Sequence, residues 1–217
     1  MLNFKYKLFG RSKGRKRNKN LSLNNLNKFD FNIKKDLNKN LFNILDIGSG
    51  NGENAIYLSK LYPNSKIITC EIFEDGNINL INQINKLHIQ NIRLFKGNAL
   101  QLLDELKQDI IFNQVWILFP DPWPKKRHHK RRLINYTLLN YIYNFLKDSG
   151  RVMIATDSSS YMQLIFNLIY ELKHKYEWEN QNYQTWNYEF LDLVETKFYK
   201  KALNSNRKST FFSLKKI

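Results

Sequence analysis

A chain of 217 residues is long enough for one domain with a sizeable core, and its 42 % hydrophobic and 14 % aromatic content excludes a largely disordered polymer. Its formal net charge of +16, from 35 basic and 19 acidic side chains, draws in polyanions. Nucleic acid is favoured over a membrane, because no run approaches the roughly 18 to 20 apolar residues of a span. The single cysteine, Cys70, excludes an intramolecular disulfide framework and has no partner thiol for a zinc site. With no apolar signal-peptide segment after the N-terminus, the expected compartment is the cytoplasm.

Residues 1–40 read as a basic, Asn-rich arm with little periodicity, including "LFGRSKGRKRNKN", that orders only on a partner. From Leu41 to the end, residues 41–217, short apolar runs alternate with helical patterns. "LFNILDIG" predicts a buried strand and "NGENAIYLSKLYP" a helix stopped by Pro63. "SKIITCEIF" is a second strand, "DGNINLINQINKLHI" a helix, "IRLFKGN" a third strand and "ALQLLDELK" a short helix. "NQVWILFP" is a fourth strand, followed by a long helix over "KRRLINYTLLNYIYNFLK" and a strand over "SGRVMIATD". "SSYMQLIFNLIYELKHKY" is again a helix, and "YEWENQNYQTW" a surface loop. "ETKFYKKAL" and "STFFSLKKI" read as two closing antiparallel strands.

Strands alternating with helices imply parallel crossover units, hence a doubly wound, Rossmann-like α/β sheet, mostly parallel with an antiparallel C-terminal strand pair. In such a sheet ligands bind outside the carboxyl ends of the strands. The predicted ends carry Asp46, Glu71, Asn98, Asp121 and Asp157, four acids among five in a heavily basic chain.

"LDIGSGNGEN" sets Gly48, Gly50 and Gly52 between a strand and a helix, where glycine permits a tight turn and close approach of a ligand. A bare glycine pattern also fits an ordinary strand-to-helix turn. Two features separate this loop from a dinucleotide site. Its spacing is G-x-G-x-G rather than G-x-G-x-x-G, and the carboxylate of Asp46 opposes a diphosphate while suiting a ligand with an ammonium and a sulfonium. S-adenosylmethionine carries both cations. Glu71 lies where an acid accepts both ribose hydroxyls, and the Asn98 amide suits an adenine edge.

"WILFPDPWPKKRHHKRR", Trp116 to Arg132, is the most informative stretch. Pro120 and Pro122 fix φ on either side of Asp121, and the eight residues Lys125–Arg132 hold six lysines and arginines and two histidines. Trp123 is placed either to stack on a base or to pack the turn. The adjacent His128 and His129 lack ligand-spaced partners, so no metal site is expected.

The string "FPDPWPKKRHHKRRL", with "LDIGSGNG", "CEIF", "ATD" and "ETKF", resembles the bacterial tRNA (guanine-N7)-methyltransferases, class I S-adenosylmethionine-dependent enzymes. The resemblance runs from about Phe9 through the tail. It implies methyl transfer to N7 of a guanine in the variable loop of tRNA, by a monomer or homodimer. It assigns Asp46, Glu71, Asn98 and Asp121 to the cofactor, alongside the glycine loop. Asp121 is also the catalytic orienter. Lys125, Asp157, Thr196, Lys197, Phe198 and Tyr199 are assigned to the substrate nucleotide, and Arg127, His128, His129, Lys130, Arg131 and Arg132 to RNA. The sequence departs from the family where Asn98 replaces a frequent acid, where T-K-F-Y replaces T-K-F-E, and in "KKALNSNRKSTFFSL" after it. The rival readings are an amino-methyltransferase of nucleobases and a non-catalytic RNA-binding module, with a small-molecule methyltransferase, which has no reason for the basic string, as a third. The first uses a [D/N]-P-P-[Y/W] turn, against Pro120-Asp121-Pro122-Trp123 here. The second has little need for Asp46 and Glu71 together.

Overall fold

The computed structural model describes Phe9 and residues 40–106, 112–188 and 193–217. All but Phe9 and Asn40 of the expected arm lie outside the described residues. Two compact units divide at Ile111 and Phe112.

The first unit runs β1 (Asn43–Ile47), α1 (Glu53–Leu61), β2 (Lys66–Glu71), α2 (Glu74–Leu87), β3 (Ile92–Lys96) and α3 (Ala99–Leu106). The strands are parallel, pairing Asp46 with Thr69 and Glu71 with Lys96. All five residues of β1 are buried, as are the central four of β2. A near-continuous apolar run of this kind marks a parallel strand covered on both faces. Helix α1 ends just before Pro63, and α2 ends in a left-handed His88 whose N–H returns to the carbonyls of Ile84 and Asn85.

The second unit holds β4 (Phe112–Leu118), a 3-10 turn (Lys126–Arg131), α4 (Tyr136–Phe145), β5 (Leu146–Thr156) and α5 (Ser159–Glu171). β6 (Tyr176–Trp178), a second 3-10 turn (Tyr183–Trp186), α6 (Lys197–Leu203) and β7 (Thr210–Lys216) complete it. β4 and β5 are parallel, whereas β7 runs antiparallel to both β5 and β6. The strands lie in the order β3-β2-β1 in the first unit and β4-β5-β7-β6 in the second, mostly parallel with the antiparallel strands at the C-terminal end. No helix among the described residues is long and apolar enough to cross a membrane.

Three local expectations are corrected. The helix predicted from Lys130 begins only at Tyr136, because the Asn135 side chain, in extended backbone, accepts from Leu138 N at 2.9 Å and caps it. "ETKFYKKAL" is not a strand. Thr196 Oγ1 accepts from Tyr199 N at 3.1 Å and starts α6, which buries Tyr199 and Ala202 three residues apart on one face. The antiparallel neighbours of β7 are instead β5 and β6, the latter drawn from the segment that reads as helix end and loop.

Behind the 3-10 turn the chain is pinned by Tyr161, whose phenol oxygen accepts from Ile134 N at 2.7 Å with both residues fully buried. Tyr161→Phe should leave that N–H unpaired and lower stability by about 1–3 kcal/mol, read as a shift in the urea midpoint at unchanged slope.

Candidate active site

In the first unit the chain leaves β1 through Gly48, Gly50 and Gly52, all at positive φ (74°, 57° and 84°). Gly48 N continues the parallel ladder to Cys70 O, and Gly52 N closes the turn on Ser49 O, both at 2.8 Å. Glu71 holds this loop. One carboxylate oxygen accepts from Gly50 N at 2.9 Å, and the other from Ile72 N at 2.7 Å and Phe73 N at 2.9 Å. Helix α2 supports it from the other side, where a Cβ on Gly76 would stand 2.2 Å from Gly50 O and one on Gly52 2.4 Å from Leu80. Gly76 went unnoticed in the sequence; its only signal is a glycine inside an amphipathic helix, where it costs about 1 kcal/mol against alanine.

Asp46 is buried within β1, and its Oδ2 has no hydrogen-bond partner; nor do the Ser49 hydroxyl and the amide atoms of Asn54. Burial pushes the Asp46 carboxyl up from its ordinary 3.8 to about 7, with Glu71 and Glu53 adding to the rise. The Asn54 amide lies near enough to oppose this, although it falls short of hydrogen-bond geometry. Cys70 is a buried core thiol, raised chiefly by desolvation. Asn98 Oδ1 accepts from Leu100 N at 2.8 Å at the start of α3, so its amide nitrogen is the part left to meet a ligand.

In the second unit β4 ends in Phe119 and Trp123, two bulky residues at positive φ (51° and 43°) that bracket the Pro120–Pro122 turn. Such conformations cost of order 1–3 kcal/mol each and persist only where packing over-determines them. Phe119 packs on Tyr188 and Tyr199, with ring centroids 5.3 and 6.2 Å away. Trp123 has Arg131 over its face at 5.0 Å and His128 edge-on at 5.9 Å, which favours packing of the turn as its role. Asp121 is exposed and lines a cavity of about 940 Å³ with Asp157, Phe198, Lys201 and Arg207. Arg207 Nε donates to Asp157 Oδ2 at 2.8 Å, and Ser158 at the N-cap of α5 makes no side-chain cap bond. Asp157 therefore faces an arginine rather than capping the helix.

The cationic string divides. Lys125, Lys126, Arg127 and Lys130 are exposed, and His128, His129 and Arg131 half-buried. Arg132, expected on RNA, is buried and serves as a strut. Its guanidinium donates to Pro122 O (2.9 Å), Ser160 O (3.0 Å) and Ser160 Oγ (2.8 Å), with its charge over the Tyr161 ring. The substrate run divides too. Thr196 is a buried helix cap and Tyr199 a buried ring 4.6 Å from Tyr188, whereas Lys197 and Phe198 are exposed.

A family model described as "Putative methyltransferase" matches residues 40–212. A tRNA (guanine-N(7)-)-methyltransferase of Rhodospirillum rubrum is 33 % identical over 77 % of this chain and 65 % of that protein. One from Wolbachia pipientis is 33 % identical over 80 % of this chain and 74 % of its own length. The chain belongs to the tRNA (guanine-N7)-methyltransferase family. It spans just under two thirds of the Rhodospirillum relative, and the match to a Corynebacterium diphtheriae relative covers 49 % of that protein. An rRNA methylase structure from Streptococcus thermophilus shares the fold alone, with TM-score 0.55 at 14 % identity over 84 % of this chain and 90 % of that one.

The cofactor of this methyltransferase family, S-adenosylmethionine, fits the first unit. Asp46 offers an unpartnered, buried carboxylate oxygen to a cation, and the loop offers backbone without a side chain at Gly48, Gly50 and Gly52. A carboxyl whose folded pKa is raised opposes folding once it ionises. Stability of the ligand-free protein should thus be fully present below the unfolded value and fall as pH rises through about 7. A cationic ligand favours the ionised form, so its affinity should strengthen across the same interval. Calorimetric titration with S-adenosylmethionine at pH values on either side should show this, and Asp46→Asn should bind weakly with no pH dependence.

Proposed function

We propose that the protein transfers the methyl group of S-adenosylmethionine to N7 of a guanine in the variable loop of cytoplasmic tRNA, with residues 41–217 as the catalytic domain. Bound S-adenosylmethionine supplies an electrophilic methyl on a sulfonium, with a neutral thioether as leaving group. Asp46, Asn98, the glycine loop and Glu71 bind and orient it. Guanine N7 has an in-plane lone pair and no proton, so the protein has no base to supply, and alignment with electrostatic stabilisation must provide the rate.

The cavity beside Asp121 is the observation that carries this reading. Its wall sets two carboxylates, Asp121 and Asp157, among aromatic rings and the cations Lys201, Arg207 and Lys208. Carboxylate oxygens accept from the N1 and N2 hydrogens of guanine and offset the charge that grows on the base as N7 is alkylated. The surrounding cations, with Lys125, Arg127 and Lys130 nearby in sequence, suit the phosphates of the same strand.

Purified protein incubated with labelled cofactor and tRNA should yield N7-methylguanosine on nucleoside analysis, and replacing the variable-loop guanine should abolish incorporation. Label on an exocyclic amine would establish the amino-methyltransferase reading instead. Affinity for tRNA should fall with salt at a log-log slope of about −0.7 to −0.9 per neutralised phosphate. Arg127→Ala and Lys130→Ala should each flatten that slope by about 1, whereas Arg132→Ala should lower thermal stability and leave the slope as it is.

A further inference from the structure

One wall of the cavity has no part in the chemistry above. Tyr183 opens the second 3-10 turn, lines the cavity and is 70 % exposed, a large apolar ring kept in water. It is held rigidly there. Its ring meets Trp186 edge-on at 5.6 Å, and Trp186 packs on Trp178 at 5.1 Å and on Phe166 at 5.4 Å. The turn itself is tied down by Asn182 Oδ1 accepting from Gln184 N at 3.0 Å. Asn180 Nδ2 also donates to Thr185 O at 3.0 Å and Phe211 O at 2.9 Å. A fixed aromatic face costs little ordering entropy when a flat partner stacks on it.

Two further features identify the partner. The same cavity is lined by Lys201, Arg207 and Lys208, and aromatic rings interleaved with cations are how proteins hold unpaired nucleic acid strands. At about 940 Å³ the cavity is also at the upper end of the roughly 300–1,000 Å³ that a single drug-sized ligand fills, leaving room beyond one base.

We propose that Tyr183 is the stacking platform for a second unpaired nucleobase of the RNA substrate, one that flanks the methylated guanine. This rests on the tRNA reading above and adds to it a subsite that takes any base, since every base presents a π face. The subsite binds the strand without touching the reacting atoms. Tyr183→Ala should accordingly raise KM for tRNA by about 5- to 150-fold, the loss of one base–aromatic stack, and leave kcat at saturating tRNA unchanged. Tyr183→Leu should behave as Tyr183→Ala, and Tyr183→Phe as wild type. 2-Aminopurine placed on either side of the target guanine should change fluorescence on binding wild type at one of the two positions, and not on binding Tyr183→Ala. An unchanged KM in Tyr183→Ala, a fall in kcat instead, or equal fluorescence responses from both proteins would overturn the proposal. Failure of the wild type to methylate tRNA would overturn the parent reading, while the fluorescence comparison would still decide whether Tyr183 stacks a base.

Discussion

A parallel strand covered on both faces can carry apolar side chains along its length but few polar ones, so polar chemistry collects where strands end. In the first unit this constraint is nearly saturated: β1 is buried throughout and β2 through its centre. Asp46 is the exception, a carboxyl inside the strand with one oxygen unpartnered. Its cost is borne as a raised pKa, and a cationic ligand removes that cost. Three of the five residues in the loop that follows, Gly48, Gly50 and Gly52, have no side chain to stiffen it. It is fixed instead by the Glu71 carboxylate, which accepts from three backbone N–H groups, and by the close approach of Gly76.

The second unit meets the same constraint with a turn rather than a glycine loop. Phe119 and Trp123 sit at positive φ around two prolines, and that strain is sustained by rings packed on one side and a buried arginine on the other. Arg132 joins the Pro122 carbonyl to Ser160 on α5, so a cation from the basic run braces the turn that carries Asp121 into the cavity. Asp157 and Arg207, fifty residues apart, form an ion pair among the residues that line the same cavity.

Legibility followed the kind of signal each segment carries. The βαβ alternation and the glycine loop were readable because period, length and glycine spacing are local properties. The segment 195–203 misled because a short amphipathic stretch with two aromatics fits either period, and only the Thr196 cap with the buried pair Tyr199 and Ala202 settles it as helix. β6 was invisible for the opposite reason. Three residues, Tyr176–Trp178, have no periodicity, and they become a strand only because β7 offers an edge.

By itself the sequence determined the doubly wound class, the acids and amide at the strand ends, the glycine loop and the basic string after Pro122, since these follow from composition and spacing along the chain. The tertiary structure alone decided how identical residue types divide their work. Arg132 became a strut and Arg127 stayed in water; Thr196 and Tyr199 turned inward while Phe198 faced the cavity; Gly76 became necessary because Gly50 O lies against it. Burial and partnership are properties of neighbours in space, and residues 10, 28 or 50 positions away supply them.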